Sequence, residues 1–198
     1  MIEYYITDRH ALHAGESLIE AISRNLSGGP DWIQIREKDL SARELFALVR
    51  AAMDLPNPRG VKLLVSTHVD VALAAGASGT HLPSGSPPPH LWRRIVPAGF
   101  LLGVSCHSIE EVQQAEQEGA DYALLSPIFP PFSKAPERPA LGLASLSQAV
   151  ESVRIPVLAL GGVTQDRAGA CAAAGASGIA GISLYQAQRR SGVVGYPK

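Results

Sequence analysis

Apolar residues recur along this chain in short blocks, and the blocks alternate between two spacings. Ile2 to Thr7 is an apolar and aromatic run of strand length. Residues 14–25 then carry a helical pattern. The run Trp32-Ile33-Gln34-Ile35-Arg36 predicts a second strand. After it, Leu45, Leu48, Val49 and Ala52 fall at i, i+3, i+4 and i+7, one stripe of a helix. Ser41, with Glu44 three residues on, marks the start of that helix as a capping box. Further strands are predicted at 61–65, 78–82, 100–105, 121–125, 155–160 and 177–182. Val69, Ala72 and Leu73 predict the helix after the third strand. Ser108 with Glu111 repeats the capping pattern, and Thr164 is a predicted N-cap. A helix over 88–96 is also expected, although three prolines crowd its start.

This makes eight strand–helix units. Alternating strands and helices predict a parallel sheet, because a parallel connection needs a crossover. Eight of them predict a closed (β/α)8 TIM barrel, with residues 1–198 as a single domain. The hexamer AAGASG occurs at 74–79 and again at 173–178, half a chain apart, as strands four and eight of such a ring would be. An open doubly wound sheet is the alternative. It needs fewer strands and usually a Gly-rich loop after the first, where Asp8-Arg9-His10 stands.

Composition narrows the function. The 198 residues hold 17 Lys+Arg and 18 Asp+Glu, a formal net charge of −1. Nothing there attracts nucleic acid. No apolar run reaches the ~18 residues of a membrane span. No basic start followed by an apolar segment marks a secretory signal. Two cysteines make no disulfide framework. A soluble cytoplasmic protein is expected.

In a barrel the helix-facing side of each strand is apolar, and active sites lie at the C-terminal strand ends. Alternation in strand two puts Ile33 and Ile35 on the helix side and Gln34, Arg36 and Lys38 on the inner side. Three long polar groups climbing toward the mouth suit an anionic ligand, although buried ion pairing would also use them. Ser105 and His107 share the inward parity of strand five, and Cys106 should face the helices as a small buried hydrophobe. His81 and His107 both fall at strand ends, where each suits either a proton shuttle or a bond to a loop carbonyl. His68, Asp70, His81 and His107 share no ligand-spacing motif, so no metal site is expected. Gly161, Gly162, Gly181 and Ser183 end strands seven and eight, where many barrels bind a phosphate on free backbone N–H groups. The long loop 127–140 holds five of the 15 prolines, with Ser133 and Lys134 as an anion-binding end.

The segments QIREKD (34–39), VDVALAAGASGTHL (69–82), GVSCHSIEE (103–111), GADYALLSPIFPP (119–131) and LGGV (160–163) resemble the thiamine phosphate synthase/TenI superfamily. The resemblance runs in order over nearly the whole chain and implies a (β/α)8 barrel and a homodimer. In the synthases a pyrimidine diphosphate loses pyrophosphate, and the resulting cation is captured by the nitrogen of a thiazole phosphate. By resemblance Gln34, Arg36, Lys38, Ser105 and Lys134 hold the pyrophosphate side, and Gly161, Gly162 and Ser183 the thiazole-phosphate side.

Two departures matter. The synthase pattern has Asn-Asp after strand three and another Asp after strand four, both serving Mg²⁺. Here Ser66-Thr67 and Leu82-Pro83-Ser84-Gly85-Ser86 stand there instead. Hydroxyls are poor replacements for carboxylate ligands. The LPSGS stretch is similar to TenI, the thiazole tautomerase branch, but the histidine of that branch would fall near Ser126-Pro127, where there is none. The expectation is therefore a TenI-like thiazole tautomerase with His107 or His81 carrying the proton. A thiamine phosphate synthase, with Mg²⁺ held mainly by substrate, is the alternative. A non-catalytic thiazole-phosphate-binding regulator is a further one.

Overall fold

The structure is a computed structural model and describes residues 1–130 and 138–186. Eight parallel strands close into a barrel in sequence order, β1 (Ile2–Ile6), β2 (Trp32–Ile35), β3 (Lys62–Ser66), β4 (Gly79–Leu82), β5 (Leu101–Cys106), β6 (Tyr122–Leu125), β7 (Val157–Ala159) and β8 (Gly178–Gly181). β8 pairs back onto β1, with Ala180 opposite Tyr4. The helices between them are α1 (Leu18–Gly28), α2 (Ala42–Met53), α3 (Val69–Ala75), α4 (Pro89–Trp92), α5 (Ile109–Gln117), α6 (Gly142–Ser152) and α7 (Gln165–Ala173). A last turn, α8 (Ser183–Gln186), follows β8. No described helix is long and apolar enough to cross a membrane.

Local chemistry fixes the ends of these elements. Ser41 accepts from the Glu44 backbone N–H, while the Glu44 carboxylate accepts from Ser41 N–H, so both orphan donors are satisfied. Ser17 and Glu20 build the same box one unit earlier. The first helix therefore starts at Leu18 and not at residue 14. Ser108 makes half of its expected box, because Glu111 turns instead to the His107 N–H at 2.7 Å. Thr164 precedes α7 without a side-chain cap bond. The expected helix over 88–96 shrinks to one turn, with Pro88 at its cap and Pro89 at its first position.

The strands separate two packing layers. Ile33, Ile35, Val65, Leu102 and Cys106 face the helices and are buried there. Tyr4, Ile6, Leu64, Tyr122, Leu124, Leu158 and Ala180 fill the barrel interior. Each buried Ile, Val or Leu among them contributes roughly 1.5–3 kcal/mol by leaving water. The repeated hexamer does the same work twice. Its Gly76 and Gly175 leave α3 and α7 at positive φ. Its last residues, Gly79 and Gly178, open β4 and β8 where a Cβ would strike the neighbouring strand's backbone at Leu101 and Ile2.

Candidate active site

The C-terminal ends of the strands enclose a cavity of about 760 Å³. Its floor is apolar, formed by Ile6, Leu124, Leu160 and Ile182. Gln34 and Arg36 share one wall. Lys38 lines it too, but β2 ends at Ile35 and Glu37 enters the same cavity, so strand alternation does not reach Lys38. Ser66, Ser84, Ser105 and Arg138 add to the polar rim. Gln34 is buried, and its Oε1 has no hydrogen-bond partner among the described residues. Arg138 was not foreseen, since nothing in the proline-rich loop singles it out. Glu37 is the one carboxylate among the described lining residues, and it is already committed. It accepts from Thr7 Oγ1 at 2.6 Å and pairs with Arg9 at 3.2 Å. The cations of the rim therefore remain available to an anion.

A second cavity, of about 350 Å³, adjoins the first across the shared wall of Leu160 and Ile182. Gly161, Gly162, Gly181 and Ser183 line it together. Gly161 (φ 89°) and Gly162 (φ 61°) both take left-handed backbone. A Cβ on Gly161 would lie 2.8 Å from Pro127, and one on Gly162 2.8 Å from Phe129. The glycine pair thus lets the loops after β6 and β7 pack together, with Phe129 N–H donating to Gly161 O at 3.0 Å. It also leaves main chain as the cup's surface, and Ser183 opens the turn of α8 beside it. Such a cup suits a phosphate. Asp8 also lines it, with its carboxylate turned to the His10 N–H at 3.0 Å.

The histidines differ in role. His107 has its Nδ1 2.8 Å from the carbonyl of Ser126 and 3.4 Å from its hydroxyl. A carbonyl only accepts, so Nδ1 carries a proton toward it, and the ring lines the large cavity. His81 is buried between Tyr122 Oη (3.1 Å from Nδ1) and Ser105 Oγ (2.8 Å from Nε2). Burial, with the nearby Arg36 charge, holds its pKa down at about 3. It is neutral at physiological pH. Burial pushes the Cys106 thiol up to about 12, in keeping with a packing residue.

The ends of β3 and β4 do not fit a carboxylate-ligated Mg²⁺. Ser66, Thr67, Ser84 and Ser86 present hydroxyls there, and Asp70 is exposed beside His68. No group of three metal-ligating side chains occurs among the described residues.

A family model described as thiamine monophosphate synthase matches residues 3–184. The chain belongs to the thiamine monophosphate synthase family. It is similar to the thiamine-phosphate synthase of Roseiflexus castenholzii, 42% identical over 183 residues that cover 92% of this chain and 79% of that one. It is likewise similar to the thiamine-phosphate synthase of Methanoculleus marisnigri, 39% identical over 180 residues, 91% of this chain and 85% of that one. Among solved structures it resembles a thiamine phosphate pyrophosphorylase from Pyrococcus furiosus. That likeness has a TM-score of 0.82 and 34% identity, and covers 94% of this chain and 88% of that one.

For this thiamine monophosphate synthase family member, the structure brings Gln34, Arg36, Lys38, Ser105 and His107 together in one cavity. It gathers Gly161, Gly162, Gly181 and Ser183 in the adjoining one. Ser133 and Lys134 lie outside the described residues.

Proposed function

We propose that the chain is a thiamine phosphate synthase, joining a pyrimidine diphosphate to a thiazole phosphate with release of pyrophosphate. One observation carries this reading. Two anion-complementary cavities adjoin across an apolar wall, one rimmed by Arg36, Lys38 and Arg138, the other lined by glycine backbone. A tautomerase needs one phosphate cup. A synthase needs a second, cationic one for the leaving group. The names of the relatives favour the same side, so the tautomerase expectation yields first place to the synthase.

The chemistry follows from the layout. The bond between the pyrimidine methylene and the diphosphate oxygen breaks, and its electron pair leaves with pyrophosphate. Arg36 and Lys38, with Ser105 in the same cavity, stabilise that developing charge, and by resemblance Lys134 serves the same side. The apolar floor of Leu124, Leu160 and Ile182 excludes water from the carbon left short of electrons. The thiazole nitrogen, anchored through its phosphate at Gly161, Gly162 and Ser183, supplies the pair that forms the new C–N bond. The serine and threonine hydroxyls at the β3 and β4 ends give Mg²⁺ no carboxylate of this chain.

Thiamine phosphate formation from the two substrates tests the reading. Arg36→Ala and Lys134→Ala should each lower kcat/KM by about 10²-fold or more, as for a lost charge-stabilising donor. Unchanged rates would remove both residues from the leaving-group site.

A second reading rests on His107. Its contact with the Ser126 carbonyl brings an imidazole beside Ser126-Pro127, near which the histidine of the tautomerase branch would fall by resemblance, and this supports it as a substitute proton carrier. If the protein accelerates thiazole tautomer conversion, and His107→Ala abolishes that rate, this reading replaces the first.

A further inference from the structure

A line of polar groups crosses the barrel beneath the mouth. Tyr4 Oη and Tyr122 Oη lie 2.9 Å apart. Tyr122 Oη is 3.1 Å from His81 Nδ1, and His81 Nε2 is 2.8 Å from Ser105 Oγ. The first three residues are buried, whereas Ser105 lines the large cavity. The four residues come from β1, β6, β4 and β5, so the closed barrel assembles the line.

Proton counting gives the line a direction. Burial keeps both phenols protonated and His81 neutral, so His81 holds one ring proton. In one order Tyr4 donates to Tyr122, Tyr122 to Nδ1, and Nε2–H to Ser105. The Ser105 O–H is then left to point into the cavity. In the reverse order Ser105 donates to Nε2 and Nδ1–H to Tyr122, which donates to Tyr4. The Tyr4 O–H is then buried without an acceptor among the described residues. Buried donors are rarely left so. Only the first order satisfies every buried donor.

We infer that Tyr4, Tyr122 and His81 are positioning residues that fix Ser105 as a hydrogen-bond donor aimed at an anionic oxygen of the ligand in the cationic cavity. The inference rests on the synthase reading for the identity of that ligand, a diphosphate. Successive donors in such a chain polarise one another, so the terminal hydroxyl is a stronger donor than a lone serine. With one Ser105 lone pair taken by Nε2–H and the O–H free, the hydroxyl suits an oxyanion better than a ligand N–H at the same place. Gly103 is part of the device. A Cβ there would overlap the tip of the Tyr122 ring, so the glycine makes room for the hydroxyl that feeds His81.

The test needs no turnover. ¹⁵N NMR of the imidazoles reads which His81 nitrogen carries the proton, and calorimetry with inorganic pyrophosphate reads the anion contact. The wild type should show His81 protonated at Nε2, with no titration between about pH 5 and pH 8. Tyr122→Phe should lose that tautomer preference and bind pyrophosphate about 3-fold or more weakly, and Ser105→Ala about 10-fold or more weakly. His81→Gln, whose amide can accept from Tyr122 and donate to Ser105, should bind more tightly than His81→Leu. Should Tyr122→Phe fail to fold, the wild-type tautomer and the Ser105→Ala affinity still decide. His81 protonated at Nδ1 in the wild type overturns the inference. So does pyrophosphate binding that is absent from the wild type or unchanged in Ser105→Ala. If instead the tautomer and affinities hold and no thiamine phosphate forms, the synthase reading fails alone.

Discussion

Adding one methyl group at Gly103 should damage this barrel more than most surface changes could. Gly103 lies on the inner face of β5, and a Cβ built there would overlap Cζ and Oη of Tyr122. The Tyr122 ring has nowhere to go. Its centroid lies 5.0 Å from Trp32, 5.6 Å from His81 and 5.9 Å from Tyr4, and all of these fill the interior. Overpacking a tight core costs about 1–3 kcal/mol. Moving Tyr122 also weakens its bonds to Tyr4 (2.9 Å) and His81 (3.1 Å). Each such bond contributes about 1 kcal/mol. Gly103→Ala should therefore cost roughly 3–5 kcal/mol. At about 2–4 °C per kcal/mol for a chain of this length, Tm should fall by roughly 6–20 °C. Thermal unfolding followed by circular dichroism reads it. In a Tyr122→Leu background the same substitution should cost less than about 1 kcal/mol, because the obstructing ring is gone. A Tm within about 2 °C of wild type, or equal costs in both backgrounds, would refute the packing argument.

Other outcomes follow from the same structure. His81 has a folded pKa of about 3, below its ordinary 6.5, so the unfolded chain binds a proton the barrel refuses. This part of the stability is present above about pH 6.5 and is lost as pH falls toward 3, by up to about 1.4 kcal/mol per pH unit. Urea midpoints should therefore drop less steeply with acid in His81→Gln than in wild type, and parallel curves would contradict this. Thr67 sits at φ 67°, a conformation costly for a β-branched residue. Thr67→Gly should raise stability by about 1 kcal/mol, read as a higher Tm, and a lower Tm would contradict the strain. Cys106 and Cys171 are buried with raised thiol pKa values, so a thiol reagent at about pH 8 should label them only after unfolding. Fast labelling of the native protein would count against the burial.

The order of elements was legible because each signal is local. Alternation at 33–36 placed Arg36 in the mouth and Ile35 against the helices. The Gly-Gly after β7 announced a backbone-lined cup. The Ser17–Glu20 box was equally visible, and it corrects the start of the first helix. What escaped the sequence is non-local. Tyr4 and Tyr122 are 118 positions apart, and Tyr122 and His81 are 41 apart. Only closure of the barrel makes them partners. In sequence Tyr4 reads as strand packing, and Gly103 as one more position of the strand at 100–105. Arg138 had no signal either, because a loop arginine points wherever the loop carries it. The change of donor chemistry at Ser66 and Thr67 shows in the sequence itself, because residue identity alone turns the carboxylate implied there into hydroxyls.

Two adjoining anion sites suit a two-substrate reaction. Incubating the protein with pyrimidine diphosphate and thiazole phosphate, and quantifying both products, tests it most directly. Thiamine phosphate and pyrophosphate should appear in equal amounts. No thiamine phosphate under saturating substrates, with thiazole tautomer conversion faster than in buffer, would contradict it.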